Sequence, residues 1–207
     1  MADGLRTFCL DGNEKIVRRT NPGSTVEKSI VPKIRKLSGL NSTYSAGYCN
    51  WFLISDAYSG DSLWCPPSIK AMGIMLYSDT YYSKWDAPAG LNRGILNNVY
   101  DIGFNPSNEE ADKIYFNSWN YAISYPLYGI VLEGQKTFQL KKTPLDRINV
   151  RRLMLHIEKS VLRVAKYFLY EQNSEYLRQK FVDMIKPIFE DVKNGNGISE
   201  YYIKCDE

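Results

Sequence analysis

Residues 129–168 read GIVLEGQKTFQLKKTPLDRINVRRLMLHIEKSVLRVAKYF, and within these 40 positions the hydrophobic period changes. Gly129 to Leu140 is apolar and then alternates, as a strand does, with Gly134 placed where a bulge or hairpin needs it. After Asn149, a cap candidate, Val150, Leu153, Met154, Ile157, Val161, Ala165 and Phe168 recur on one helical face, with Arg151, Arg152, Lys159 and Lys166 elsewhere. Strand and helix periods in direct succession, with no internal repeat, indicate an α+β domain: a mixed sheet flanked by helices.

Toward the C-terminus, Asn173 or Ser174 caps a second helix with Leu177, Phe181, Met184, Ile185 and Ile188 inward. Pro187 removes the bond to Asp183 and should kink it, and Asn194-Gly195-Asn196-Gly197 ends it. Tyr201, Ile203 and Cys205 then alternate with Glu200, Tyr202 and Lys204, which predicts a closing strand. Toward the N-terminus, Asn105-Pro106-Ser107 followed by Glu109 and Glu110 starts a helix predicted to reach about Tyr121. Trp85 to Gly94 (WDAPAGLNRG) is an ordered loop. Ile69, Met72, Gly73 and Leu76 give a helix over 67–79 that opens on prolines, tolerated there because the first N–H groups lack partners anyway. Tyr48 to Ile54 (YCNWFLI) reads as one buried central strand. Over 1–41 no period persists, so that stretch is a leader or the remnant of something larger upstream.

With 207 residues the chain is one large domain or two small ones, and 44% hydrophobic against 24% charged residues excludes wholesale disorder. The net charge of +3 demands no polyanionic partner. Its distribution is uneven: Lys15–Lys36 and Lys141–Lys166 each carry +6, and the remainder −9. Those segments are solvated faces or surfaces that meet an acidic partner, including an acidic patch on another copy. The 16 tyrosines suit strands and protein interfaces.

Cys9, Cys49, Cys65 and Cys205 form no CxxC pair, which points to a reducing site of synthesis. Met1 to Arg19 lacks a signal-peptide core, no run of about 18 apolar residues occurs, and Asn41-Ser42-Thr43 reads as a polar turn. The lone histidine, His156, sits inside the strongest helix and reads as a packed or surface residue. No HExxH, GxSxG or P-loop is present, and the acid pairs Glu109-Glu110 and Asp206-Glu207 do not share a cleft. No catalytic, cofactor or metal site is expected. Tyr77, Tyr81, Tyr82 and Trp85 fit packing or a protein interface better than base stacking, because the basic residues lie elsewhere.

A set of motifs in fixed order resembles the tail sheath proteins of contractile-tail bacteriophages. It comprises Asn41 to Ala46 and Tyr48 to Trp51; Pro66-Pro67-Ser68, Ala71, Gly73 and Ser78-Asp79; Ala87-Pro88-Ala89-Gly90 with Asn92-Arg93-Gly94; Tyr128 to Leu132; Gly134 to Thr137; Asp146 to Leu153; and Tyr202 to Asp206. The resemblance covers roughly 41–207, and the conjunction of the APAG loop, RINVRR before a long helix and a Cys-Asp closing strand is specific where each piece is weak. Sheath proteins generally have further upstream domains, an N-terminal arm and a C-terminal extension.

The resemblance implies a sheath core domain at 42–207 without the usual C-terminal extension, completed by strands exchanged with neighbouring subunits. Its partners would be other copies in helically stacked six-fold rings, the tail tube protein, and baseplate and tail terminator proteins, with neither nucleic acid contact nor membrane insertion. Contraction of the sheath would drive the tube through the host envelope. The place of action would be the virion tail, after synthesis in the host cytoplasm. Arg151, Arg152, Arg163, Lys166, Arg178 and Lys180 are candidates for tube or subunit contacts, and Tyr201, Tyr202, Ile203, Lys204 and Cys205 for strand exchange. A phage-derived injection device of the pyocin kind would have the same core. A nucleic-acid-binding module, resting on the two +6 segments, is the reading from a different class.

Overall fold

Trp119–Tyr125 and Gly129–Glu133 pair as an antiparallel hairpin in which Ile130, Val131 and Leu132 are all buried, and the other elements are laid against it. The computed structural model describes residues 2–3 and 41–205. In chain order the elements are β1 (Ala2–Asp3), β2 (Gly47–Tyr48), β3 (Phe52–Ser55), β4 (Ser62–Cys65), α1 (Pro67–Tyr81), β5 (Asp101–Ile102), α2 (Asn108–Phe116), β6 (Trp119–Tyr125), β7 (Gly129–Glu133), α3 (Ile148–Ala165) and α4 (Glu175–Asn194). Single 3-10 turns lie at Pro144–Asp146 and Lys166–Phe168. One sheet has the order β1-β2-β6-β7, parallel across its first two pairings and antiparallel across the last. The other, β4-β3-β5, is antiparallel throughout. The α+β class and the mixed sheet are as expected. Among the described residues no helix is long and apolar enough to cross a membrane.

The run YCNWFLI is not one strand. Asn50 adopts φ 65 and breaks it, so Tyr48 ends a strand of the first sheet and Phe52 begins a strand of the second. Both rings are fully buried in one cluster with Ala71, Ile74, Ala122, Leu132 and Ile148. A second cluster joins Cys49, Phe104, Ile114, Trp119 and Phe138, the last two rings edge-to-face at 5.2 Å. Gly47 sits over that pair: a Cβ there would fall 2.4 Å from Phe138 and 2.8 Å from Trp119.

The helix that opens at Ser107 ends at Phe116 and not near Tyr121. Ser107 and Glu110 form a capping box, with the Ser107 amide donating to Glu110 Oε2 at 2.8 Å. Ser118, at φ 66, turns the chain out of the helix into β6. The hairpin lies at 126–128, between β6 and β7, and not at Gly134. Gly134 follows β7 at φ 91, where a Cβ would come 2.9 Å from Asn120 Oδ1.

The three long helices form near the expected positions. α1 has prolines at its start and runs to Tyr81, two residues beyond the expected end. α3 is capped at Arg147, which puts Asn149 inside the helix and not at its cap. Ser174 Oγ accepts from the Leu177 amide at 3.2 Å and caps α4, which continues through Pro187 to Asn194. Burial of these last two helices is uneven: Ile148 and Leu153 are buried on α3 and Ile185 and Val192 on α4, but no residue from 154 to 184 is buried.

The predicted closing strand is absent. Tyr201 to Cys205 form no strand with the described residues. They lie instead against α4, where the Tyr201 ring stacks on Phe189 at 5.3 Å. The pairing that a strand needs is replaced by side-chain packing, with Tyr202 to Cys205 beside Glu175, Arg178, Gln179 and Val182 of α4. The leader assigned to 1–41 lies, apart from β1 and Asn41, outside the described residues, as does the pair Asp206-Glu207.

Candidate assembly interface

The edge of β7 is closed by the loop that contains APAG. Gly90 N donates to Leu132 O at 2.9 Å, Leu132 N to Gly94 O at 2.8 Å, and Leu96 N to Ile130 O at 2.9 Å. Gly90 has φ 79, and a Cβ on Gly94 would meet Leu132 O at 2.6 Å, so both glycines are required by backbone geometry. Arg93 Nε donates to Ala87 O at 2.9 Å and locks the loop on itself.

The opposite side of the sheet is filled lightly. β2 contributes two residues against β6, and β1 two more against β2. Where β2 stops, side-chain amides replace backbone. Asn50 Nδ2 donates to Phe104 O (2.8 Å) and Ala122 O (3.0 Å), and Asn105 Oδ1 accepts from the Ser124 amide at 3.0 Å. Asn120 Nδ2 donates to Gly47 O (3.0 Å) and Lys136 O (2.9 Å), while its Oδ1 accepts from the Lys136 amide at 2.7 Å. Asn50 and Asn120, both fully buried, satisfy polar backbone inside the core, while Asn105 does so at the surface. The sequence reading missed Asn120 altogether. A lone Asn in YCNWFLI was the available signal for Asn50.

The six basic candidates divide. Arg151 lies over the Tyr44 ring at 4.2 Å and donates to Thr43 Oγ1; Arg152 donates to Asp79 Oδ1 and to Met75 O. Both are half-buried fasteners, Arg151 tying α3 to the segment before β2 and Arg152 tying it to α1. Arg178 is half-buried and donates to Asn173 Oδ1 at 3.0 Å. Arg163, Lys166 and Lys180 are exposed. Lys159, Arg163 and Lys166 border a hollow of about 470 Å³ whose apolar walls are Leu162, Ala165 and Leu169.

The strand-exchange candidates are partly occupied. Tyr202 to Cys205 line a hollow of about 520 Å³ with Glu175, Arg178, Gln179 and Val182, and Cys205 also borders Phe168 and Phe181. The arm carrying these features is held to the sheet body by Trp85. Its indole N–H donates to Gly195 O at 2.8 Å, and a Cβ on Gly195 or Gly197 would fall 2.4 Å or 3.0 Å from its ring.

Titratable groups with shifted pKa do not converge on a cleft. Burial pushes the Tyr48 hydroxyl and the Cys49 thiol up, and burial aided by Glu133 pushes Tyr121 up to about 12. His156, half-buried beside Lys84 at 3.3 Å, is held below its ordinary range by burial and then by Lys84. Among the described residues no three His, Cys, Asp or Glu side chains gather as a metal-ligand group. What this surface offers is shape, hydrogen-bonding edges and charge.

No family model matches the chain. It is 32% identical over 158 residues to the tail sheath protein of Salmonella phage ViI, covering 76% of this chain and 25% of that protein. It is likewise 32% identical over 167 residues to the tail sheath protein of Enterobacteria phage T4, covering 81% and 25%. In fold it matches the contracted sheath complex of the PVC extracellular contractile injection system, with TM-score 0.71, 19% identity, 83% of this chain and 46% of that one. The chain thus spans about a quarter of the length of the curated relatives it matches.

Proposed function

Because the chain belongs to the family of contractile-phage tail sheath proteins, of which it spans about a quarter, we propose that it is a structural subunit of a phage tail sheath. In this role copies assemble as helically stacked six-fold rings around a tail tube, bounded by baseplate and terminator proteins, in the virion tail. Contraction moves subunits as rigid bodies from a metastable extended lattice to a compact one, so the stored free energy lies between molecules. The role contains no chemical step.

The observation that carries this reading is the asymmetric sheet. One edge is sealed by the APAG loop, while the other is finished by two-residue strands and by asparagine side chains. Such an edge is a place for a neighbour's strand to add, through main-chain hydrogen bonds. Tyr201 to Cys205, pairing with no strand of the described residues, are the segment to be donated or joined. Of the basic candidates, Arg163, Lys166 and Lys180 are free in direction to meet the tube or an adjacent subunit. A phage sheath is favoured over an injection device because the relatives near 30% identity are phage proteins, whereas the injection-system likeness is one of fold.

The test is electron microscopy of the full chain incubated with tail tubes. Sheath-like tubes are expected, and charge reversal at Arg163, Lys166 and Lys180 together should impair them at physiological salt while leaving the fold intact. A chain that stays monomeric with tubes yet binds DNA with steep salt dependence would overturn the reading in favour of a nucleic-acid-binding module.

A further inference from the structure

Helix α1 is built inside out. The side it turns to the core carries Pro67, Ala71, Ile74 and Ser78, whereas its larger residues face away: Ile69, Met72, Leu76, Tyr77 and Tyr81 are each more than half exposed. Between Pro66 and Tyr82 there are two charges, and both are turned to the chain itself, Lys70 Nζ toward Asn97 O at 3.3 Å and Asp79 to Arg152. In the middle of the outer face Gly73 has nothing within 4 Å of where a Cβ would stand, which lets another backbone approach closely. A helix that keeps its large apolar residues on its outer face is one whose outer face is covered in its working state.

The hollow near the end of α3 is the complementary surface. Its floor is Leu162, Ala165 and Leu169, and its rim is Lys159, Arg163 and Lys166. Leucine there can pack on Met72 and Leu76, and cations at the rim suit the faces of Tyr77 and Tyr81, whose rings already lie 4.6 Å apart. Within one chain α1 meets α3 at Arg152, seven residues before the hollow begins. The chain's own Lys15–Lys36, at +6, would bring like charge to that rim.

We propose that the outer face of α1 on one copy seats in the basic-rimmed hollow at the end of α3 on the next copy. This deepens the sheath reading and rests on it. The contact is head-to-tail, using two different patches, so repetition generates a ring or a helix and not a closed dimer. It also selects a neighbouring subunit over the tube as the partner of Arg163 and Lys166.

Photo-cross-linking in assembled material tests it. Full-length protein carrying p-benzoylphenylalanine in place of Gly73 is mixed with isotope-labelled unmodified chain, assembled on tubes, irradiated and mapped by mass spectrometry. Ile69 takes the probe if position 73 does not assemble. The expected result is adducts joining the probe to 159–169 of a labelled copy. Adducts confined to the same chain, to the tube protein or to other parts of a labelled copy overturn the inference and leave the sheath reading standing. In parallel, Leu76→Glu and Leu162→Glu should each reduce tube yield at least tenfold with an unchanged circular dichroism spectrum; normal yield from either overturns it. If the unmodified chain forms no tubes, the sheath reading fails first and this inference with it.

Discussion

The sheet body up to Leu153 and the helical arm from Met154 to Met184 obey the same rules of sequence and reach opposite states. Tyr48, Phe52, Ala71, Ala122, Val131 and Leu132 are at most 1% exposed, whereas nothing between 154 and 184 is buried. Helix α3 crosses the boundary with its apolar period unbroken: Leu153 is buried, whereas Ile157, Val161, Ala165 and Phe168 of the same face are only half-buried. Hydrophobic period therefore reports which side of a helix wants cover, and says nothing of where the cover comes from. In the body it comes in full from the same chain; on the arm, where Phe168 meets Phe181 edge-to-face at 5.2 Å, it comes only in part.

The largest effect should come from disturbing the body. Asn120→Ala leaves Gly47 O, Lys136 O and the Lys136 amide without their partner, and should cost about 4 kcal/mol, read as a large fall in the urea midpoint. A paired substitution sharpens the contrast: Phe52→Ala should cost about 3–5 kcal/mol, but Phe181→Ala, on the arm, about 1 kcal/mol or less in the monomer. Equal costs would show that the arm is already packed in the isolated chain.

Trp85→Phe removes the indole bond to Gly195 O and should cost about 1 kcal/mol. Amide exchange should then speed up in α4 and remain unchanged in β6 and β7, because the latch joins the two regions and belongs to neither core.

The smallest effect concerns pH. Burial, Lys84 and Arg163 lower the pKa of His156, against the opposing pull of Asp191 on α4 and Asp79 on α1. The unfolded chain therefore binds more protons than the folded one just below the ordinary histidine pKa. The resulting stability is complete above about pH 6.5 and is lost as pH falls. His156→Gln should show a smaller drop in melting temperature than the parent between pH 7.5 and 5.5.

Much of the fold was legible because its signals are local. The capping box at Ser107 and Glu110, the prolines that open α1 and the change of period after Leu140 depend on neighbours in sequence. What was not legible depends on contacts across the chain. Whether YCNWFLI is one strand or two is decided by Asn50 reaching Phe104 and Ala122, 54 and 72 residues away. Helix α2 ends where Ser118, at φ 66, turns the chain into β6, whose partners β2 and β7 lie far off in sequence or beyond it. Arg151 and Arg152 look as free as Arg163 in sequence, and only the approach of Thr43 and Met75 to α3 makes them internal. The APAG glycines stand out as a motif in sequence, but their reason, close passage over Leu132, lies in the sheet.

That passage carries a consequence for growth. Since the turn around Gly90 already spends the amide and carbonyl of Leu132, no foreign backbone can pair with Leu132 on that flank. A strand added to this sheet by a neighbour, as proposed above, would therefore be directed to the β1 side.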